Sequence, residues 1–363
     1  MPLLGKSKEE LRQLCVGLGE PAYRGDQIYH ALYAKKIFAI SEMSNLPAAF
    51  REKLTREATL RFPAIKRRFS SQDGSVRYLF ELAGGERNAS VEAVYMPNER
   101  RQTICISTQA GCAVDCQFCL TAQLGLIRNL SAGEIIGQVL VALREAEKAS
   151  EGTPEDRQEE KQQTNVVLMG QGEPLLNFGN VMAALRILLD PEGVGLSPKH
   201  VTLSTSGIVP GIERLALEPV RPKLAISLNA SNDEQRDMLM PINKKYPLKI
   251  LLEACRAYPL RNWEHLTFEY VMLGGVNDAP EDARRVVKLL APLKRVKVNL
   301  IPWNPGELSY QESTEQNIEA FRRILNERGV PAFVRYSRGR DVMAACGQLA
   351  LREVSNTPLQ VPR

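Results

Sequence analysis

The sequence predicts an α/β protein with a partial barrel of six strand–helix units, preceded by a small N-terminal accessory part of helices and a hairpin. Three observations favour this fold class: six short runs rich in β-branched residues, amphipathic segments between them, and helical periodicity over about residues 1–60 ahead of them. Strands that alternate with helices in this way are typical of parallel sheets. Six units are fewer than the eight of a closed barrel, so we expect an open one.

The N-terminal part is predicted to contain three helices and a hairpin. Apolar residues recur at three- and four-residue spacing in SKEELRQLCVGLG, DQIYHALYAK and PAAFREKLTREA. Residues 66–95 then alternate as strands do, with a turn at Asp73-Gly74. We therefore divide the chain into an accessory domain (residues 1–95), a barrel core (96–340) and a C-terminal segment (341–363).

The six predicted barrel strands end in loops that suit an active site. Each strand is followed by a turn containing Gly, Asn, Ser or acidic residues, and the strands are residues 103–108, 165–170, 201–206, 223–228, 267–273 and 296–302. Enzymes with parallel strands build their sites at the carboxyl ends, because the loops converge there. The polar segment 148–163 is predicted to be a surface insertion instead.

Composition and charge place the chain among ordinary globular proteins. Of its 363 residues 44% are hydrophobic and 25% charged, which excludes disorder for most of the chain. We expect a cytoplasmic protein, because no run reaches the roughly 20 apolar residues of a membrane span.

Two segments of the chain are strongly basic. Residues 51–68 hold seven basic and two acidic side chains, and residues 322–340 hold six Arg and one Glu. Such basic clusters suit a polyphosphate such as RNA, although solvated surface faces are the alternative.

Three of the seven cysteines, Cys112, Cys116 and Cys119, form a C-x3-C-x2-C motif. An odd count and close clustering argue against a disulfide framework. Structural zinc needs four protein ligands, and no fourth Cys or His lies nearby, whereas a four-iron cluster on three thiolates leaves one iron open. Phe118 would shield such a cluster from water. A zinc site or a redox-sensing group of thiols is the alternative interpretation.

The cysteine motif, with an aromatic residue before its last Cys, resembles the signature of the radical S-adenosylmethionine (SAM) superfamily. The GQGEP sequence at residues 170–174 resembles that superfamily's second-strand glycine-rich motif. The resemblance implies one [4Fe–4S] cluster per chain on Cys112, Cys116 and Cys119. It also implies that SAM binds the open iron and is cleaved to a 5′-deoxyadenosyl radical.

Longer stretches resemble the bacterial dual-specificity RNA methyltransferase family, which methylates C2 of adenine. They extend from about Tyr23 to Gln348 and include SVEAVYMP, TICISTQAGCAVDCQFCLTAQLGLIRNL, MGQGEPLLN, LSTSGIVPGI, NLIPWNP and RGRDVMAACGQL. The resemblance implies two substrates, 23S ribosomal RNA at the peptidyl-transferase centre and the transfer RNA anticodon loop. We also expect a flavodoxin-type electron donor, a monomer and no membrane partner. Gln171 and Asn229 depart from the family pattern, which has Met and His there.

Adenine C2 is not nucleophilic, so its methylation needs a radical. Cys346 resembles the family's cysteine that is methylated first by one SAM and then, after hydrogen abstraction with a second SAM, adds to C2. Cys105 resembles the thiol that resolves the RNA adduct and leaves a transient Cys105–Cys346 disulfide. Glu92 resembles the base that takes the C2 proton. From the residues alone, Cys105 and Cys346 would be interpreted as core cysteines.

The same position-by-position resemblance implies SAM contacts at Gly172, Glu173, Ser204, Ser227, Leu228, Asn229 and Asn304. Charge and proximity to Cys346 suggest that Arg335, Arg338 and Arg340 hold RNA phosphates. Cys15 and Cys255 fall in amphipathic helices and are predicted to be core residues.

Three other functions remain open at this point. One is methylation of C8 of the same adenine, as in antibiotic-resistance relatives. Another is a radical SAM enzyme that acts on a small molecule or peptide and would not need the basic N-terminal part. The third is a zinc-stabilised RNA-binding protein, which would contain zinc but neither iron nor sulfide.

Overall fold

The computed structural model describes residues 1–82, 89–150 and 162–351. The strands of these ranges are β1 Ala64–Ser70, β2 Val76–Leu82, β3 Ala89–Pro97, β4 Arg101–Cys105, β5 Gln109–Gly111, β6 Leu126–Asn129, β7 Gln163–Leu168, β8 Val201–Thr205, β9 Lys223–Ser227, β10 Leu266–Met272, β11 Val296–Pro302 and β12 Ala332–Val334. The α-helices are α1 Lys8–Gly17, α2 Tyr23–Tyr29, α3 Ala48–Glu57, α4 Leu120–Gln123, α5 Ala132–Ser150, α6 Phe178–Leu189, α7 Val209–Ala216, α8 Asp233–Leu239, α9 Leu248–Ala257, α10 Pro280–Leu290 and α11 Glu315–Glu327. Short π or 3-10 turns occupy His30–Ala34, Ile40–Glu42, Pro174–Asn177, Pro198–His200, Pro241–Lys244 and Arg340–Val342.

One ten-stranded sheet carries the architecture, in the order β1-β2-β3-β4-β7-β8-β9-β10-β11-β12. From β4 to β12 every neighbouring pair is parallel, while β1 to β4 pair in antiparallel fashion. The predicted α/β partial barrel of six strands is confirmed. A seventh parallel strand, β12, was not predicted, because three residues are too few to show a strand pattern.

The predicted hairpin continues the barrel sheet without a break. In the β3–β4 pairing, Val94 lies opposite Cys105, so hydrogen bonds cross the predicted division at residue 95. The division of the chain into three domains stays a prediction. Most of the predicted insertion 148–163 and the last part of the C-terminal segment, residues 352–363, lie outside the described residues.

The N-terminal helices form as the sequence predicts. Ser7 and Glu10 cap α1 reciprocally: the Glu10 amide donates to Ser7 Oγ at 3.2 Å, and the Ser7 amide donates to Glu10 Oε2 at 2.8 Å. The helix buries Leu11, Leu14 and Cys15 against the core, so the prediction for Cys15 is confirmed. In the described ranges, no helix is both long and apolar enough to cross a membrane.

The parallel strands present one face to a covering layer of helices and the other to the barrel interior. In β10, Phe268 and Tyr270 are fully buried in the main core, while Glu269 and Val271 line the interior cavity. This two-residue alternation is the ordinary pleat of a strand. It determines which side chains the active site receives from each strand.

We predict that Gly133→Ala weakens the contact between the N-terminal part and α5. A Cβ at Gly133 would lie 2.5 Å from the carbonyl oxygen of Leu4, so one backbone must shift. We expect the free energy of unfolding in urea to fall by about 1–3 kcal/mol. Gly17→Ala is the matched control, because a Cβ there meets nothing within 4 Å. Equal stabilities of the two variants would contradict the close approach.

Candidate active site

A cavity opens at the carboxyl ends of the parallel strands, where the sequence predicts the site. Its walls come from the cysteine loop, from the loops after β7, β8, β9 and β11, and from the C-terminal segment. The lining includes ten of the predicted site residues, namely Cys112, Cys116, Cys119, Gly172, Glu173, Ser204, Ser227, Asn229, Asn304 and Cys346. The structure therefore gathers most of the predicted site around one space.

The loop that carries the three cysteines is held by backbone hydrogen bonds on both sides. The Cys112 amide donates to Gly125 O at 2.9 Å, and the Gln117 amide donates to Leu239 O at 3.0 Å. Gly111, at φ +73°, lies so close to the β6 side that a Cβ would be 1.8 Å from Gly125 O. Only glycine fits where the chain turns into the motif.

The three thiols fit a multi-iron cluster. Burial raises the pKa of Cys112 to about 12 and that of Cys116 well above its usual range, and the neighbouring sulfurs add to both shifts. A bound cation reverses such shifts and deprotonates the thiols. Among residues 1–82, 89–150 and 162–351, no three His, Cys, Asp or Glu side chains form a single-ion site. Thiolates on a cluster stand further apart than the ligands of one ion, because each binds a different iron.

An apolar wall stands behind the cysteines, as predicted for Phe118. Phe118 is 8% exposed and packs in a cluster with Leu239, Met240, Leu273 and Trp303. The indole N–H of Trp303 donates to Phe118 O at 3.3 Å. These apolar side chains keep water away from one side of the cysteine loop.

The glycine-rich loop after β7 is fixed by its backbone and by Glu173. Gly172 has φ +97°, and a Cβ there would lie 2.5 Å from Gln109 Cβ. The Glu173 carboxylate accepts hydrogen bonds from the amide of Leu175 (3.0 Å) and from the amide and hydroxyl of Ser206 (both 2.7 Å). Burial nevertheless raises the pKa of Glu173. Its side chain thus ties the loop after β7 to the end of β8.

Arg236 of α8 holds the loops after β8 and β9 together, and the sequence analysis missed it. It is fully buried and donates to the carbonyl oxygens of Leu228 (3.1 Å), Ser206 (2.7 Å) and Ser227 (3.1 Å). Burial lowers its pKa to about 10. Nothing in the sequence distinguishes this helix arginine from an exposed one.

Leu228 and Asn229 contribute to the site in different ways. The Leu228 side chain lies in the main core rather than in the cavity, so only its backbone is available to a cofactor. Asn229 lines the cavity with φ +54°, a conformation that Asn tolerates better than most residues. Its Oδ1 accepts from the Val271 amide at 2.8 Å, which fixes the β9 loop to β10.

Cys346 lies in the cavity because the C-terminal segment is fastened across it. Asn304 Nδ2 donates to Cys346 O at 3.2 Å, the Leu120 amide donates to Gly347 O at 2.8 Å, and Thr121 Oγ1 donates to Leu349 O at 2.6 Å. The Cys346 side chain is exposed to the cavity. Surrounding protein raises the pKa of its thiol to about 11, and the charge of Glu269 adds to the shift.

Cys105 is buried behind the cavity wall, at the end of β4. It packs in an apolar cluster with Val94, Ala344 and Leu349, so it contacts the segment that carries Cys346. Burial raises the pKa of the Cys105 thiol far above its usual value, and the charge of Cys346 contributes. Both cysteines are free thiols. The predicted Cys105–Cys346 pairing stays a prediction, with the two residues on neighbouring elements.

Glu92 of β3 is fully buried outside the cavity lining. Its carboxylate forms an ion pair with Arg77 and accepts from the Leu351 amide at 3.0 Å and from Gln171 Nε2 at 3.4 Å. Burial raises the pKa of Glu92, although Arg77 opposes the shift. In this conformation the end of the described chain covers the predicted base.

The arginines before Cys346 contact protein groups. Arg338 donates to the carbonyl oxygens of Pro97 and Asp73, and Arg340 binds both carboxylate oxygens of Glu312, at 3.0 and 3.1 Å. Arg335 Nε donates to Asn299 Oδ1 at 3.1 Å. These contacts fasten the segment to its neighbours, and a role in RNA binding stays a prediction.

Glu269 of β10 is a second residue that the sequence analysis missed. It is 8% exposed and lines the cavity together with Cys346. The sequence does contain a signal for it, because Glu269 is the one charged residue in the predicted strand TFEYVML.

A partial barrel with three cysteines on the loop at its strand ends defines the class of this protein as a radical SAM enzyme. The Radical SAM superfamily model matches residues 106–290, and the model for the ribosomal RNA large subunit methyltransferase N-terminal domain matches residues 1–60. Relatives that match nearly the whole chain identify the family within this class. The chain belongs to the RlmN family of radical SAM RNA methyltransferases.

Similar proteins cover nearly the whole chain. A probable dual-specificity RNA methyltransferase RlmN of Koribacter versatilis is 49% identical over 93% of this chain and 98% of its own. The dual-specificity RNA methyltransferase RlmN of Anaeromyxobacter dehalogenans is 46% identical over 94% and 90%. The crystal structure of a radical SAM methyltransferase from Sphaerobacter thermophilus, 40% identical, superimposes with a TM-score of 0.89 over 97% of this chain and 100% of that one. These matches confirm the predicted family, the methyltransferase class, and the [4Fe–4S] cluster and SAM as cofactors.

We predict that Arg236→Met lowers the free energy of unfolding by more than about 2 kcal/mol, because buried carbonyl oxygens lose their donors. The measurement is urea denaturation of variant and wild type with equal iron content. Arg284→Met is the control, since Arg284 is half exposed on α10 and pairs with Glu281; we expect a change within about 0.5 kcal/mol there. An equally small effect at Arg236 would show that the two loops do not depend on it.

Proposed function

We propose that this chain methylates C2 of adenine in 23S ribosomal RNA, at the peptidyl-transferase centre, and in the transfer RNA anticodon loop, with Cys346 as methyl carrier. The observation that carries the proposal is the position of Cys346, which lines the same cavity as Cys112, Cys116 and Cys119. The names of the relatives, dual-specificity RNA methyltransferases, support the two substrates.

The lining residues have separate tasks in this proposal. Cys112, Cys116 and Cys119 would hold the cluster, which together with SAM supplies a methyl group and a carbon-centred radical when bound. Residues at the carboxyl ends of four strands surround the remaining space and are proposed to hold SAM: Gly172, Glu173, Ser204, Ser227, Asn229 and Asn304, with Leu228 through its backbone. Because these loops rest on parallel strands, the space is preorganised.

Cys346 accepts the methyl group and carries it to the RNA. Its exposure to the cavity lets its sulfur reach both the methyl donor and a purine ring placed over the site. Asn304 holds the carbonyl oxygen of Cys346 itself and Thr121 holds that of Leu349, which fixes the backbone from which the sulfur projects. Fixed orientation of the reacting atoms is worth several orders of magnitude in rate.

Cys105 and Glu92 complete the reaction. Cys105 attacks the Cys346 sulfur and releases the methylated RNA, and its packing against Ala344 and Leu349 places it beside the right segment. Glu92 takes the C2 proton, a task for which a raised carboxylate pKa is suited. Since the Leu351 amide donates to Glu92 Oε2, Leu351 must move aside before the adenine meets this base.

The N-terminal part is proposed to bind the RNA. Strand β1 is a sheet edge whose exposed residues Lys66, Arg67 and Arg68 form part of the predicted basic cluster. Phosphate contacts by Lys and Arg dominate RNA affinity, so an exposed basic strand suits this task. A flavodoxin-type electron donor and a monomeric state belong to the same proposal.

Anaerobic reaction of the reconstituted protein with methyl-labelled SAM and RNA tests the two cysteines. We expect Cys346→Ala to abolish both protein and RNA labelling, because the carrier sulfur is gone. Cys105→Ala should accumulate a covalent protein–RNA crosslink. Cys255→Ala is the matched control, since Cys255 is buried in α9 away from the cavity. RNA methylation by Cys346→Ala, or C8-methyladenine in nucleoside analysis of the wild-type product, would refute the proposal.

Iron and sulfide analysis tests the ligand set. Replacing Cys112, Cys116 or Cys119 singly by Ala should abolish retention of the [4Fe–4S] cluster after anaerobic reconstitution, because two protein thiolates hold it poorly. The charge-transfer absorption of the cluster should be lost while the far-ultraviolet circular dichroism is kept. Cys15→Ala, a change in the N-terminal core, should retain full iron content. A variant of the motif that keeps four irons would remove that cysteine from the ligand set.

A further inference from the structure

We propose that Glu269 is the catalytic base that accepts the Cys346 thiol proton when Cys346 is methylated. This inference rests on the proposed function and assigns a residue to its first step. It follows from three observations: the shared cavity wall, the way Glu269 is oriented, and the commitments of the other buried carboxylates nearby.

Glu269 and Cys346 line one cavity from opposite elements. Glu269 projects from the middle of β10, in register with Ser227 of β9 and Asn299 of β11, and Cys346 approaches on the C-terminal segment. The charges of Glu269 and of Cys119 both raise the pKa of the Cys346 thiol. Glu269 is only 8% exposed, and burial of its charge is costly.

The orientation of Glu269 is fixed from the protein side. Asn299 Nδ2 donates to Glu269 Oε1 at 3.0 Å, and Asn299 Oδ1 in turn accepts from Arg335 Nε at 3.1 Å. The hydrogen bond from Arg335 determines which way the Asn299 amide points. The Asn299 amide nitrogen therefore faces the carboxylate of Glu269. A base held in one orientation transfers protons more efficiently than a mobile one.

The other two buried carboxylates of the proposed site, Glu173 and Glu92, are already engaged by other protein groups. Glu173 accepts three hydrogen bonds from backbone and hydroxyl donors. Glu92 is bound by Arg77 and by the Leu351 amide, outside the lining. Glu173 is thus occupied by donors and Glu92 lies outside the lining, which leaves Glu269 as the candidate base among these three carboxylates.

The charges around Glu269 suit a base. Burial raises its pKa, and Asn299, Arg335 and Lys297 oppose the shift from the β11 side. On the cavity side, Glu269 raises the pKa of the Cys346 thiol, and Cys119 of the cysteine motif adds to that shift. A carboxylate with a raised pKa accepts a proton more readily than an ordinary one.

The step balances without an oxidant or reductant. The Cys346 S–H proton moves to a carboxylate oxygen of Glu269, and the sulfur forms a bond to the methyl carbon of SAM. The bond between that carbon and the sulfonium sulfur breaks, with its electron pair remaining on S-adenosylhomocysteine. Glu269 then releases the proton to solvent through the open cavity.

Single-turnover methylation of Cys346 in the reconstituted holoenzyme, followed by mass spectrometry of the Cys346 peptide, tests the base. We expect E269Q to slow this step by about 10²- to 10⁴-fold. E269D should retain more of the rate than E269Q, because it keeps a carboxylate. Glu281→Gln, an exposed change on α10, is the matched control and should react at the wild-type rate. Iron content and circular dichroism verify that each variant is folded and loaded.

A second measurement separates a base from a charge that only repels the thiolate. Removing the negative charge should lower the pH midpoint of Cys346 alkylation by iodoacetamide in E269Q, because the thiolate forms more easily. A base therefore shows an acidified thiol together with slower methylation. Methylation in E269Q as fast as in wild type, or faster, overturns the inference. The inference is also overturned if E269Q loses SAM affinity, measured by equilibrium dialysis, by the same factor as it loses methylation rate. Absence of Cys346 methylation in the wild type would instead refute the proposed function.

Discussion

The parallel alignment of β4 and β7–β12 is the constraint on which the rest of this structure depends. Because seven neighbouring strands point the same way, every following loop opens on the same edge of the sheet, and the backbone groups of those loops must be satisfied there. Arg236 does so for the loops after β8 and β9, and Glu173 does so between the loops after β7 and β8. The cavity is the space between these loops once their backbone groups are hydrogen-bonded.

The sequence predicts those parts of the molecule whose cause is local. Strand–helix alternation requires only neighbouring residues, so the six predicted barrel strands match β4 and β7–β11 closely. The cysteine spacing predicts a shared centre because three residues within one loop are close whatever the remaining fold does. Cys105 and Cys346 are different: 241 residues separate them, and only the resemblance to a family, together with the fold, connects them.

What the sequence could not provide depends on contacts between distant segments. The hairpin joins the barrel sheet because β3 pairs with β4, and a periodic pattern does not say which strand is its neighbour. Arg236 has the composition of a surface helix residue, and only its burial reveals that it holds the loops after β8 and β9. Leu228 falls within a stretch implied to bind SAM, yet the pleat turns its side chain into the core.

The hydrogen bond between the Leu351 amide and Glu92 has a consequence for how the enzyme selects its substrate. A peptide that is covalently attached competes at a high effective concentration, so a nucleotide that seeks the same carboxylate must first outcompete it. In the proposed enzyme, Leu351 is thus a tethered competitor for Glu92, and contacts that the RNA makes elsewhere on the protein help to displace it.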